Sequence, residues 1–234
     1  RGEERGQVKD QLDLELGEDA FEHAAVEDRA GQLAIDFPRD AVIERREVEV
    51  SGPRTAVGDV PAADLVLVND GDLTFAKVRF DERSLRTVLS SLGSLEDPLA
   101  RALCWGALWD ATRDAELPAA RLVDAVLAGV GAEDDPSLVE TLLAQAVRAA
   151  GTFAPAAEQD DLLARIGEAC WGAAVAPGSD LQLVRVRAAV SGLLDADLVT
   201  GLLDGSTVPE GLVVDAELRW HVVRRLAARG LLGE

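Results

Sequence analysis

The feature that most constrains this chain is a change of hydrophobic period near residue 80. Before it, apolar residues alternate with polar ones. Leu12, Leu14 and Leu16 are separated by Asp13 and Glu15, Leu33, Ile35 and Phe37 by Ala34 and Asp36, and Val48 and Val50 flank Glu49. A period of two places one set of side chains on a sheet face and the other in water. Leu65, Val66, Leu67 and Val68 are apolar without a break, as in a strand covered on both faces. Asn69, Asp70 and Gly71 then supply turn chemistry. A further strand is expected beyond them, with Ala76, Val78 and Phe80 inward and Lys77 and Arg79 outward.

After residue 80 the period is helical. Asp97-Pro98 and Asp135-Pro136 place a capping acceptor before a proline that costs no hydrogen bond in a first turn. Pro118 and Pro155 mark two more helix starts. In the helix after Pro136 the stripe Leu138, Val139, Leu142, Leu143, Ala146, Val147 and Ala150 is wide enough for two neighbours. A helix from about Asp180 repeats the pattern with Leu183, Val186, Val190 and Leu194. The last helix uses Leu218, Val222 and Leu226, with Trp220, Val223 and Ala227 alongside. Seven or eight helices joined by short loops are expected, with little sheet beyond residue 90. CWGA occurs at 104–107 and again at 170–173, a separation that two helix pairs of about 33 residues would give. Gly106 and Gly172 would then allow close helix approach. The chain therefore divides into a β-rich module, 1–80, whose first 32 residues are the least readable, and a helical-repeat domain, 81–234, an α-solenoid of antiparallel helix pairs.

Charge narrows the partners. Forty-three acidic against 23 basic residues give a formal charge of −20, which repels nucleic acid and anionic membranes. The acids are spread along the chain: 17 acidic and 8 basic residues fall in 1–68, and 26 and 15 in the remainder. No apolar run approaches the ~20 residues of a membrane helix, and residues 1–11 contain no signal-peptide core. Cys104 and Cys170 sit in apolar helical contexts, as small buried hydrophobes of a reducing, cytoplasmic compartment would. The chain begins with Arg and has no Met, so it is expected to be a fragment.

Catalytic motifs are absent from the sequence, and no catalytic, cofactor-binding or metal-binding residue is assigned. The two histidines, His23 and His221, belong to no H-E-x-x-H pair. His221 is expected on an exposed polar face with Arg224, Arg225 and Ala228, while His23 lies among acids and receives no role. Cys104 and Cys170 lack further zinc ligands in their neighbourhood, and Cys104 has no base nearby in sequence. Asp134-Asp135 and Asp160-Asp161 are read as acids preceding helices, favoured by the helix dipole. No glycine-rich phosphate loop occurs.

Residues 66–81, VLVNDGDLTFAKVRFD, resemble the junction that closes the small β-sandwich and opens the C-terminal helical domain in the gluzincin (aminopeptidase N) family, most closely in its actinobacterial members. Asn69, Asp72, Leu73, Ala76, Lys77 and Val78 match that pattern. Gly71 stands where an acid is common, and Phe75 where tyrosine is common. The resemblance implies that Phe75 keeps the packing of the ring and that Lys77 and Arg79 bridge the β module to the helices. It runs from about residue 64 onward, more weakly over 33–63. It implies a parent enzyme that removes N-terminal residues from peptides with zinc and a glutamate held in an upstream catalytic domain. This chain would cover the active site and shape peptide access, and alone it would be inactive and hold no zinc. Its acids would either line the chamber and favour basic peptides or sit on the convex solvent face and only solubilise. An independent helical-repeat scaffold is the alternative.

Overall fold

The computed structural model describes residues 13–16, 24–25, 31–36, 44–50, 54–58, 62–174, 180–192 and 195–231. Leu12, His23, Phe37 and Leu194 lie outside them. The contacts divide the chain into two compact units, Arg1–Ala111 and Thr112–Glu234.

The first unit contains the six described strands: β1 (Asp13–Leu16), β2 (Ala24–Ala25), β3 (Gly31–Asp36), β4 (Glu44–Val48), β5 (Arg54–Gly58) and β6 (Leu65–Val68). They form two three-stranded sheets, β2-β1-β5 and β4-β3-β6. In the first, β1 pairs antiparallel with β2 and parallel with β5, with a bulge between Glu15 and Leu16. In the second both pairings are antiparallel, and Ile35 sits opposite Glu44 on one side and Val66 on the other. Exposure alternates along β4 and β5, as period two requires, whereas all four residues of β6 are buried. Val66 and Val68 join Val50, Ala63, Val78 and Ala107 in one core, against which Val48, Val57, Ala76 and Phe80 pack.

The strand expected at 76–80 does not form. Residues 75–81 belong to no ladder, although Val78 is buried and Ala76 and Phe80 pack on the core as the alternation implied. The preceding turn folds around Asn69, which adopts the left-handed region (φ 62) that Asn tolerates better than most residues. Its side chain receives Thr74 N–H (3.1 Å) and donates to Thr74 O (2.8 Å), so it ties down the residue that would open a strand. Gly71 lies at φ 80, a conformation that glycine adopts without strain.

Two helices follow: α1 (Glu82–Ser91) and α2 (Pro98–Arg113), which crosses the boundary between the units. Asp81 caps α1 and Asp97 receives the Leu99 N–H at the start of α2. The secondary structure thus changes between residues 68 and 82, while the compact units divide at 111, because α1 packs on β6.

The second unit holds α3 (Ala119–Gly129), α4 (Pro136–Arg148), α5 (Ala156–Ala173), α6 (Asp180–Gly192), α7 (Ala196–Asp204) and α8 (Ala216–Ala228). Eight α-helices are therefore present among the described residues. Three starts carry the expected signal, Pro118 before α3, Asp135-Pro136 at α4 and Pro155 before α5, and the structure adds Asp195 and Asp215 as caps of α7 and α8. Helix α4 runs into one π turn over Ala149–Phe153. Sequence neighbours pack as α3 on α4, α5 on α6 and α7 on α8, and alternate helices also touch, α4 on α6 and α6 on α8. The core stripes are as read for Val139, Leu142, Leu143 and Ala146, for Val186 and Val190, and for Leu218, Val222 and Leu226. Trp220 departs from its stripe and is 63% exposed.

Two expectations about helix packing are corrected. The CWGA copies lie on α2 and α5, three helices apart, so 66 residues do not span two helix pairs. Trp105 is buried and Trp171 only half-buried, so the copies are not equivalent. Nor do Gly106 and Gly172 mediate close approach, since a Cβ at either would meet nothing within 4 Å. Close approach occurs at Gly192 instead, where a Cβ would lie 2.5 Å from Leu163 O and 2.7 Å from Gly167 N on α5.

Candidate functional site

In the second unit, α4, α6 and α8 enclose a groove of about 390 Å³. Its apolar floor includes Leu143, Val184 and Ala188, and its polar wall includes Glu140, Arg187, Glu217 and His221. The helical periodicity that buries Leu142 and Val186 in the core turns Glu140, Arg187 and Glu217 toward the groove. Arg187 is held by Glu217 (3.0 Å) and more loosely by Glu140 (3.8 Å).

His221 is not on an exposed face. It is half-buried and links α8 to α6, with Nε2 3.1 Å from Arg187 O and 3.0 Å from Ser191 Oγ. A carbonyl oxygen only accepts, so the short contact with Arg187 O places the proton on Nε2. The Ser191 hydroxyl donates back along α6 to the same carbonyl (3.0 Å). Nε2 is therefore not a base toward Ser191, and the pair lacks the activated nucleophile of a hydrolase dyad. Burial holds the His221 pKa below its ordinary value; the Arg187 carbonyl opposes this, and the Arg224, Arg187 and Arg225 guanidiniums add to it.

The other sequence candidates fall elsewhere. Cys104 and Cys170 are buried, in different compact units, and both are reduced. Desolvation pushes the Cys170 thiol up to about 11, against the pull of Arg185, which is the reverse of what a thiolate nucleophile or ligand needs. Asp135 accepts Leu138 N–H (2.9 Å) as a cap. Asp160 and Asp161 do not precede a helix. They lie inside α5, which starts at Ala156, and Asp160 pairs with Arg229 (3.4 Å). No group of three or more His, Cys, Asp or Glu side chains among the described residues is placed to hold a metal ion.

In the first unit the junction segment borders a recess of about 240 Å³ that includes Asn69, Asp72, Val78, Leu99 and Gly106. Phe75 does not keep the ring packed: it is 93% exposed, and Leu73 beside it is 67% exposed. Arg79 Nη1 donates to the Val78 carbonyl (3.1 Å). Bonds between the strand region and α1 include Val66 N–H to Ser84 Oγ (2.9 Å) and Arg83 Nη2 to Asp64 (2.6 Å).

The groove combines residues from three helices; the sequence singled out Leu143, Val147, Trp220, His221 and Arg224 among them, but not as one site. Residues 65–234 match the ERAP1-like C-terminal domain, and the chain belongs to that family. Aminopeptidase N of Streptomyces lividans is 42% identical to it over 200 residues, covering 81% of this chain and 23% of that protein. The chain thus spans under a quarter of the relative's length. The likeness of residues 66–81 to the aminopeptidase N junction holds across most of the chain. No described helix is long and apolar enough to cross a membrane.

Proposed function

We propose that this chain is the non-catalytic C-terminal part of a zinc metallo-aminopeptidase that removes N-terminal residues from peptides. The observation that carries the reading is the 42% identity to an aminopeptidase N over most of the chain. The zinc and its glutamate belong, on this reading, to an upstream catalytic domain of the same cytoplasmic enzyme. The two sheets form a small β-sandwich that leads into the helices. The stacked pairs α3/α4, α5/α6 and α7/α8 form a helical-repeat cover over the active site and shape peptide access. Stacked pairs of this kind generate a concave surface, and a chamber lined by one sign of charge concentrates ligands of the other.

The test uses the full-length protein and matched peptides carrying Lys or Glu several residues from the N-terminus. The proposal expects a higher kcat/KM for the Lys peptide at low salt. The preference fades as the Debye length falls from ~10 Å at about 0.1 M to ~3 Å at about 1 M. Equal values at low salt, or a preference indifferent to salt, would remove the role in peptide access.

A further inference from the structure

The groove between α4, α6 and α8 carries more positive charge than its own ion pairs use. Arg187 is bracketed by Glu217 and Glu140. Arg148 on α4 and Arg224 on α8 line the same groove, and neither has a hydrogen-bond or ion-pair partner among the described residues. In a chain with 43 acidic and 23 basic residues, these two guanidiniums share one groove and pair with none of its acids. His221 beside them is kept neutral chiefly by its burial, and the Arg224 and Arg187 guanidiniums add to this. Beside these charges lie Leu143 and Val147 and the exposed Trp220, an aromatic face without a core to bury it.

We propose that this groove binds a small organic monoanion, a carboxylate with an aromatic body. The carboxylate is held by Arg148 and Arg224, and the ring packs between Trp220 and the apolar floor at Leu143 and Val147. Guanidinium forks match carboxylates in geometry and give charge-assisted bonds. Three arginines against Glu140 and Glu217 leave one net positive charge, which suits a monoanion. A phosphate dianion would carry excess charge past the two glutamates. A groove of about 390 Å³ is within the usual range for small-molecule sites. The proposal does not depend on what an upstream domain does.

The test is titration of the full-length protein, stripped of metal by chelator, with 3-phenylpropanoate, followed by Trp fluorescence and calorimetry. Saturable one-to-one binding is expected, with 3-phenylpropanamide and phenyl phosphate each at least about tenfold weaker. Arg148→Ala and Arg224→Ala each weaken the carboxylate by about tenfold, the usual size for loss of one charge-assisted bond. Both residues are exposed, so the variants should keep the wild-type circular dichroism. Trp220→Phe abolishes most of the fluorescence change while calorimetric binding persists. Equal affinity for the amide, an unchanged affinity in the Arg148→Ala/Arg224→Ala double variant, or no saturable binding at millimolar carboxylate would overturn the proposal.

Discussion

Ser84 completes the hydrogen bonding of an edge strand: its Oγ receives the N–H of Val66 at 2.9 Å, with both residues buried. The Ser84 hydroxyl in turn donates to Asp81 Oδ2, and Asp81 Oδ1 accepts the Arg83 and Ser84 amides. One helix N-terminus thus caps itself and supplies the partner that β6 lacks on its outer edge. Removing the hydroxyl strands a buried amide and a carboxylate oxygen. Ser84→Ala is therefore expected to cost about 1–3 kcal/mol, read as a lower urea midpoint at unchanged slope. A variant as stable as wild type would show that water replaces the hydroxyl.

The glycines give a paired prediction of opposite sign. At Gly192 a Cβ meets the α5 backbone at Leu163 O and Gly167 N, neither of which is a flexible side-chain end. Gly192→Ala should destabilise by about 1–3 kcal/mol. Gly106 sits within α2 with open space around its Cβ position, so Gly106→Ala should gain about 0.5–1 kcal/mol from helix propensity. Thermal midpoints that move in the same direction for both would contradict the packing described.

Acid should weaken the second unit through His221. Its pKa is lowered in the folded chain, so below about 6.5 the unfolded state binds the extra proton first. Stability is then lost as pH falls from that value through the lower, folded one. The groups facing the imidazole are Arg187, Arg224 and Arg225, with Glu140 and Glu217 across the groove. Gln at this position keeps an amide donor for Arg187 O without titrating. Denaturation between about pH 7 and about pH 5 should give a shallower acid limb for His221→Gln than for wild type. Identical limbs would mean that the imidazole does not report this environment.

Phe75 should be energetically idle within this chain. With 93% of its surface exposed, Phe75→Ser is expected to change unfolding stability by less than about 0.5 kcal/mol. A loss of several times that in the isolated chain would mean that the ring is buried.

What could be read from sequence was what is local. Asp135 with Pro136, Pro118, Pro155 and the four apolar residues of β6 act through their own neighbours, and each stands where its chemistry requires. The strand expected at 76–80 failed because alternation fixes which side chains face inward but cannot supply a ladder partner. Phe75 and Trp220 failed for a related reason, since an aromatic residue beside a core stripe carries no mark of whether a neighbour covers it. Gly106 and Gly172 were indistinguishable by type from Gly192, and only the crossing of α5 and α6 separates them. The groove was invisible because Arg148, Arg187 and Arg224 come from three helices, brought together by packing that no local signal records.

The most direct test of the central claim compares zinc content and aminoacyl-reporter turnover for this chain alone and for the full-length protein, both chelator-treated and reloaded. The account predicts well under one zinc equivalent and no turnover for the chain, with stoichiometric zinc and turnover in the full-length protein. Tight one-to-one zinc accompanied by turnover in the isolated chain would contradict it.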